Sequence, residues 1–125
     1  MINEYNKSDL FRTFQKLDIK KGDSIFLSTS LGMLGKPKTT NKNILLTVSN
    51  WILESLEKLI GEKGNIFVPT YSYSFTKRKK IFSVENTKST IGYFPNFFLK
   101  KKGIIRSKDP MVSVAGYGPQ AKYVL

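Results

Sequence analysis

Leu10, Phe14 and Leu17 recur at i, i+4, i+7 behind Ser8 and Asp9. That spacing puts one apolar face on a first helix. Ser8 is its expected cap, and Asp9 suits the positive end of the helix. Lys20-Lys21-Gly22-Asp23 is a turn signal, and Ser24–Ser30 reads as a strand around Ile25, Phe26 and Leu27. After the polar loop Lys36–Asn43, the positions Ile44, Leu45, Val48, Ile52, Leu56 and Leu59 recur mostly in steps of three or four, with Trp51 at the edge of the stripe. Thr40, Asn41 or Asn43 caps this second helix, and Gly61 ends it. Ile66-Phe67-Val68 is a second buried strand that Pro69 stops, because proline cannot donate to a ladder.

This β–α–β order implies a parallel pair. Ligands in such sheets bind past the carboxyl ends of the strands. Both ends carry hydroxyls here, at Ser28–Ser30 and at Thr70–Ser74. Tyr71–Phe75 leads into the basic loop Thr76–Lys80, Phe82–Gly92 reads as loop, and Tyr93–Lys101 as a short helix with Pro95 in its first turn. In Gly103–Gly118 the apolar runs Ile104–Ile105 and Met111–Ala115 flank a polar loop holding Arg106, Ser107, Asp109 and Pro110, with Ser113 inside the second run. That mixture suits a site that grips an anion and orients a polar ligand. A charged surface turn between two strands would have the same composition.

Composition narrows the chemistry. The 125 residues suffice for one domain, and 40% apolar content supports a packed core. There is no cysteine and no histidine. Disulfides, thiolate or histidine metal sites, and Ser-His or Cys-His nucleophiles are therefore excluded from this chain alone. No metal is expected. The polar Met1–Lys7 has no signal-peptide core, and no apolar run approaches the ~20 residues of a membrane span. A cytoplasmic protein without a membrane partner is expected. Net charge is +12, from 21 Lys and Arg against 9 Asp and Glu. Such an excess attracts polyanions. The lysines are scattered, however, apart from Lys77–Lys80 and Lys100–Lys102, and such a bias also arises from codon composition. Nucleic acid is not the expected partner. Dinucleotide-binding and P-loop glycine patterns are absent.

Four segments resemble motifs of the aminoglycoside 3-N-acetyltransferase family, in its order and close to its spacing. Gly22-Asp23-Ser24-Ile25-Phe26-Leu27-Ser28-Thr29-Ser30-Leu31, with Leu34-Gly35, is similar to its N-terminal Gly-Asp, apolar run, His-Ser-Ser-Leu, Leu-Gly. Ile66-Phe67-Val68-Pro69-Thr70-Tyr71 resembles its strand end, and Thr87-Lys88-Ser89-Thr90-Ile91-Gly92 its Thr-Pro-Ser-x-x-Gly. Arg106-Ser107-Lys108-Asp109-Pro110, Ser113-Val114-Ala115 and Gly118 resemble Arg-Ser-x-His-Pro, Ser-x-Ala and Gly. Together they cover about residues 20–118.

The resemblance implies an α/β fold with a central mixed or parallel sheet and flanking helices. The chain would be a single partial domain, the N-terminal half of a fold about twice as long. The implied activity is acetyl transfer from acetyl-CoA to an amine of an aminoglycoside or related amino sugar, without a covalent enzyme intermediate. Ser28, Thr29, Ser30 and Leu31 would line the pantetheine arm. Arg106 and Ser107 would lie near the CoA path, and Ser113 would support the loop. The family's histidines are Ser28 and Asp109 here, and the proline of its third motif is Lys88. Its His–Glu motif, assigned the base role, falls in the later half, which leaves Asp109 as the one catalytic candidate in this chain. A strongly basic half suits CoA or a nucleotide-linked amino sugar of polysaccharide synthesis better than a polycationic aminoglycoside. A basic polyanion-binding module and an inactive fragment are the other readings.

Overall fold

The computed structural model describes residues 4–76 and 81–125. Lys77–Lys80 lie outside them. In chain order the elements are β1 (Glu4–Tyr5), α1 (Lys7–Lys16), β2 (Ser24–Phe26), β3 (Lys36–Pro37), α2 (Ile44–Ile60), β4 (Asn65–Pro69), α3 (Tyr93–Leu99), β5 (Ile105–Arg106), β6 (Val114–Tyr117) and α4 (Ala121–Val124), with single 3₁₀ turns at Leu31–Met33 and Ser74–Thr76.

The main sheet has the order β2-β4-β6-β5. β2 and β4 are parallel, with Ile25 opposite Ile66, as the β–α–β pattern requires. β6 is antiparallel to both β4 and β5, so the sheet is mixed. The parallel pair β1–β3 is too short and too polar to leave a periodic signal.

The first helix starts at Lys7, two residues earlier than a Ser8 cap would place it. The Asn6 side chain accepts from the Asp9 N–H at 3.0 Å, and the Asp9 carboxylate accepts from the Asn6 N–H at 2.9 Å. This reciprocal capping box outcompetes Ser8 for the cap. At the other end the helix stops at Lys16, so Leu17 is 66% exposed rather than part of the apolar face.

Asn43 is the cap of α2, accepting from Leu46 N–H at 3.2 Å, and Gly61 (φ 66°) closes it. The packed stripe of α2 begins one turn later than the sequence stripe, at Val48, Ile52, Leu53, Leu56 and Ile60. The consecutive Ile44-Leu45-Leu46 remain exposed.

One face of the sheet, carrying Ile66, Val68 and Ala115, packs against α2 and α3 through Ile52, Leu56, Phe94 and Phe98. Burying each large side chain of this kind stabilises the fold by about 1.5–3 kcal/mol. Across the parallel register Phe26 shares the opposite face with Phe67. On that face Leu125 reaches Gly116, where an added Cβ would lie 2.9 Å from both the Leu125 and Phe67 side chains. Phe26 remains 60% exposed. Among the described residues no helix is long and apolar enough to cross a membrane.

The two apolar groups of α2 separate cleanly. Leu56→Ala should lower the unfolding free energy by about 2–5 kcal/mol, because it opens a cavity in the core. Leu45→Ala should change it by less than about 0.5 kcal/mol. Urea melts of both variants check this, and equal losses would contradict the packing.

Candidate functional site

The strand directions gather the hydroxyl-rich segments at one edge. β2, β4 and β5 all end there and β6 begins there, so residues 27–31, 70–76 and 107–113 emerge together. With strands about 4.8 Å apart, the Ser28 turn and the Ser107 loop sit roughly 14 Å apart, and Thr70–Ser74 fills the interval.

That central segment is held from both sides by hydrogen bonds. Thr70 N–H donates to Ser113 O (2.8 Å), Ser72 and Tyr73 N–H both donate to Met111 O (3.2 and 3.1 Å), and Ser74 N–H donates to Pro110 O (2.8 Å). On the other side, Tyr71 O accepts from Thr90 N–H (2.9 Å) and Ser89 Oγ (3.0 Å). The Asn96 side chain fixes Ser89 in turn, accepting from its N–H and donating to its carbonyl, both at 2.9 Å.

Arg106 ties these layers together. Its side chain is buried. Nε donates to Ser113 Oγ (3.1 Å), one terminal nitrogen donates to Thr70 O (2.9 Å), and the other donates to Val84 O (3.2 Å) and to Thr87 O. The guanidinium also lies 5.0 Å from the centroid of the Phe82 ring. Burial pulls its pKa below the usual arginine value, still far too high for deprotonation near neutrality. This is a cation satisfied by carbonyl dipoles. The sequence suggested a guanidinium facing a ligand anion, but these bonds commit it to the protein.

The other sequence-derived site residues divide by role. Ser113 is fully buried: its hydroxyl donates to Thr70 O at 2.9 Å while accepting from Arg106. Ser107 closes the β5–β6 hairpin, its N–H donating to Val114 O and its Oγ accepting from Val114 N–H, both at 2.9 Å. Asp109 is exposed, and its Oδ1 accepts from Met111 and Val112 N–H at 2.7 and 2.8 Å. Those two bonds hold its carboxyl below the ordinary aspartate range, which disfavours it as a base at neutral pH. At the far side, Ser28 and Ser30 are exposed and Leu31 packs partly against the core. Thr29 Oγ1 is shielded from solvent with no hydrogen-bond partner among the described residues.

Tyr73 has φ 50°, a left-handed conformation rare for an aromatic residue. Such a residue costs of order 1–3 kcal/mol and persists only where its neighbours over-determine it. Nothing in the sequence marks it. Asn96, which fixes Ser89, lies inside a short helix where asparagine is a poor former.

Lys100–Lys102 precede β5 and so lie toward the opposite end of the sheet. Lys101 is engaged there by Glu57 at 2.8 Å and by the Tyr117 ring at 4.3 Å. That end also holds a cleft of about 360 Å³ lined by Glu57, Ile60, Gly61, Tyr117 and Gly118. Among the described residues no cluster of acidic side chains gathers as a metal site would require.

Arg106→Lys keeps a charge but cannot serve four acceptors, and should destabilise by about 2–3 kcal/mol in chemical denaturation. A variant as stable as the wild type would contradict the clamp. Asp109, its pKa lowered in the folded state, contributes stability above the ordinary aspartate pKa, and this is lost as pH falls through the folded value. Asp109→Asn should therefore flatten the acid limb of a stability–pH profile, and an unchanged limb would count against it.

Residues 29–125 match the sequence model of the family described as aminoglycoside 3-N-acetyltransferase. The fold matches solved structures closely. They include aminoglycoside acetyltransferase AAC(3)-Xa (TM-score 0.77, 18% identity, 98% of this chain and 46% of that one). The YokD protein from Bacillus subtilis gives 0.79, 18%, 97% and 53%, and AAC-IIIb in a binary complex with CoASH gives 0.75, 16%, 97% and 48%. The chain thus spans about half the length of these structures. At such identities the likeness establishes the fold. No curated protein sequence matches the chain.

Proposed function

This chain belongs to the aminoglycoside 3-N-acetyltransferase family, and from that premise we propose that it forms the donor-side half of an acetyl-CoA-dependent N-acetyltransferase acting on an amino sugar. The observation that carries this reading is the convergence of the Ser28–Leu31 turn, Thr70–Ser74 and the Ser107–Ser113 loop at one sheet edge. One neighbour of the same fold is described with CoASH, and others with sisomicin or a gentamicin.

The pantetheine arm is a chain of amides and needs hydroxyl and backbone partners. Ser28, Thr29 and Ser30 offer both, and Leu31 gives an apolar wall. Thr29 Oγ1, shielded and unpartnered among the described residues, suits a polar group brought by a ligand. Arg106, Ser107 and Ser113 act as positioning residues that fix the loop beside this path. The exposed cation of that loop is Lys108, and it suits the diphosphate.

In the reaction the acceptor nitrogen attacks the thioester carbonyl and the C–S bond breaks. The thiol leaves with the electron pair, and one proton leaves the nitrogen. Donors must hold the carbonyl oxygen as its charge develops. Histidine is absent from these 125 residues, and Asp109, held acidic, does not serve as the proton acceptor in this reading.

Calorimetry with CoA tests this. One-to-one binding is expected, and Ser30→Trp should weaken it at least about tenfold without lowering the thermal midpoint. Absence of CoA binding, or a Ser30→Trp variant that binds unchanged, would sink the assignment.

A further inference from the structure

The helical layer carries another cleft, away from the ligand edge. It has a volume of about 420 Å³ and lies between α1 and α2, lined by Lys7, Phe11 and Arg12 on one side and by Glu54, Ser55 and Lys58 on the other. The crossover from β2 to β4 makes α2 run back from the ligand edge, so its last turns sit beside the strand starts. The Gly22 N–H, just before β2, donates to Ile60 O at 2.7 Å and fixes that end. None of the cleft's residues belongs to the Ser28–Leu31 turn or the Ser107–Ser113 loop.

Ser55 gives the cleft an unmet demand. Inside a helix, a serine hydroxyl often turns back to the carbonyl four residues earlier. Ser55 Oγ makes no such bond. The residue is 2% exposed, and its hydroxyl has no partner among the described residues. A shielded hydroxyl of this kind calls for a polar group to meet it. Around it stand three cations and one carboxylate. Lys7 pairs with Glu54. Arg12 gives one terminal nitrogen to Asp9 at 2.7 Å, and its other nitrogens make no hydrogen bond among the described residues. Lys58 makes no ion pair among the described residues and lies 4.9 Å from the centroid of the Phe11 ring. The cleft therefore keeps unused donors and an excess of positive charge, which an anion would satisfy.

The spacing of the cations narrows the anion. Lys7 meets Glu54, and Phe11 meets Lys58 four residues further along each helix. The cations thus stand at two levels about 6 Å apart. A lone carboxylate is too short to reach both. Two linked phosphoryl groups can span them, and their oxygens suit guanidinium and ammonium donors.

We propose that the α1–α2 cleft is a second anion site that takes the diphosphate group of a small phosphorylated ligand. Lys58 and Arg12 hold one phosphoryl group, Lys7 holds the other, and the Ser55 hydroxyl donates from within the cleft. This site does not rest on the acetyltransferase reading. Its ligand would tie α1 to α2 and stabilise the fold by mass action.

Inorganic pyrophosphate, titrated at constant ionic strength, tests the site by calorimetry and by amide shifts of the isotope-labelled protein. Saturable binding is expected, with the largest shifts at residues 7–12 and 54–58. Lys58→Ala and Arg12→Ala should each weaken it at least about fivefold. Lys122→Ala removes the same charge from α4 and should leave it within about twofold. Ser55→Ala should weaken it about threefold, yet melt at an equal or higher temperature without ligand, because it deletes an unsatisfied hydroxyl. Shifts confined to residues 28–31 and 107–113 would assign the anion to the ligand edge and overturn the proposal. Equal losses in Lys122→Ala and Lys58→Ala would reduce it to diffuse charge attraction and overturn it too. Unchanged affinity in Ser55→Ala, or no binding at all, would leave the cleft to water and sink the idea.

Discussion

The site edge depends on one buried cation. Arg106 bonds to three backbone carbonyls from two segments, Thr70 after β4 and Val84 and Thr87 in the loop before α3, and to the Ser113 hydroxyl at the start of β6. Sheets leave loop carbonyls unpaired at their ends, and burying those groups unsatisfied is costly. A single planar fork with several fixed donors meets that demand in one residue, which a lysine could not do. The clamp defines where Thr70–Ser74 runs, and so which side chains face the ligand edge. Ser113 shares this duty through its bonds to Arg106 and to the Thr70 carbonyl.

How much of this was legible in the sequence varies with the kind of signal. The parallel β2–β4 pair followed from Ile25–Leu27, the α2 stripe and Ile66–Val68, because periodicity over many residues records burial directly. The gathering of hydroxyls at the carboxyl ends followed from the same topology. What escaped were choices made by a single contact. Asn6 displaced Ser8 because Asp9 falls at its N3 position and completes a capping box, whereas the N3 residue of a Ser8 cap would be Phe11. Ile44-Leu45-Leu46 read as the start of an apolar stripe, yet the packed face begins at Val48. Arg106 showed its charge in the sequence but not its carbonyl partners, which lie 19–36 residues away. Tyr73 has no sequence signature, since its left-handed backbone is imposed by the neighbouring loop.

Family membership and fold give the arrangement a chemical context, and the chain's own composition limits its share of the work. Without histidine, the chain lacks the side chain whose ordinary pKa lies near neutrality, and Asp109 is a carboxylate held ionised. Under the proposed division of labour, donor recognition falls to the parallel strands, and Asp109 is not the proton acceptor.

A bond between the start of β4 and the turn after β6, at one end of the sheet, has a consequence for how the chain folds. Asn65 opens β4 and is buried, and its side chain accepts from Gln120 N–H at 2.8 Å, 55 residues away. β4 is also flanked by β6, which lies more than forty residues downstream. The central strand therefore cannot be completed as it leaves the ribosome. Each helix can form locally during synthesis, whereas closure of the sheet must wait for the β6–α4 segment. The late step is entropic loop closure, with apolar Phe67 uncovered until Leu125 arrives. Translation speed through the codons of β5, β6 and α4 would then govern how long that surface is open to aggregation.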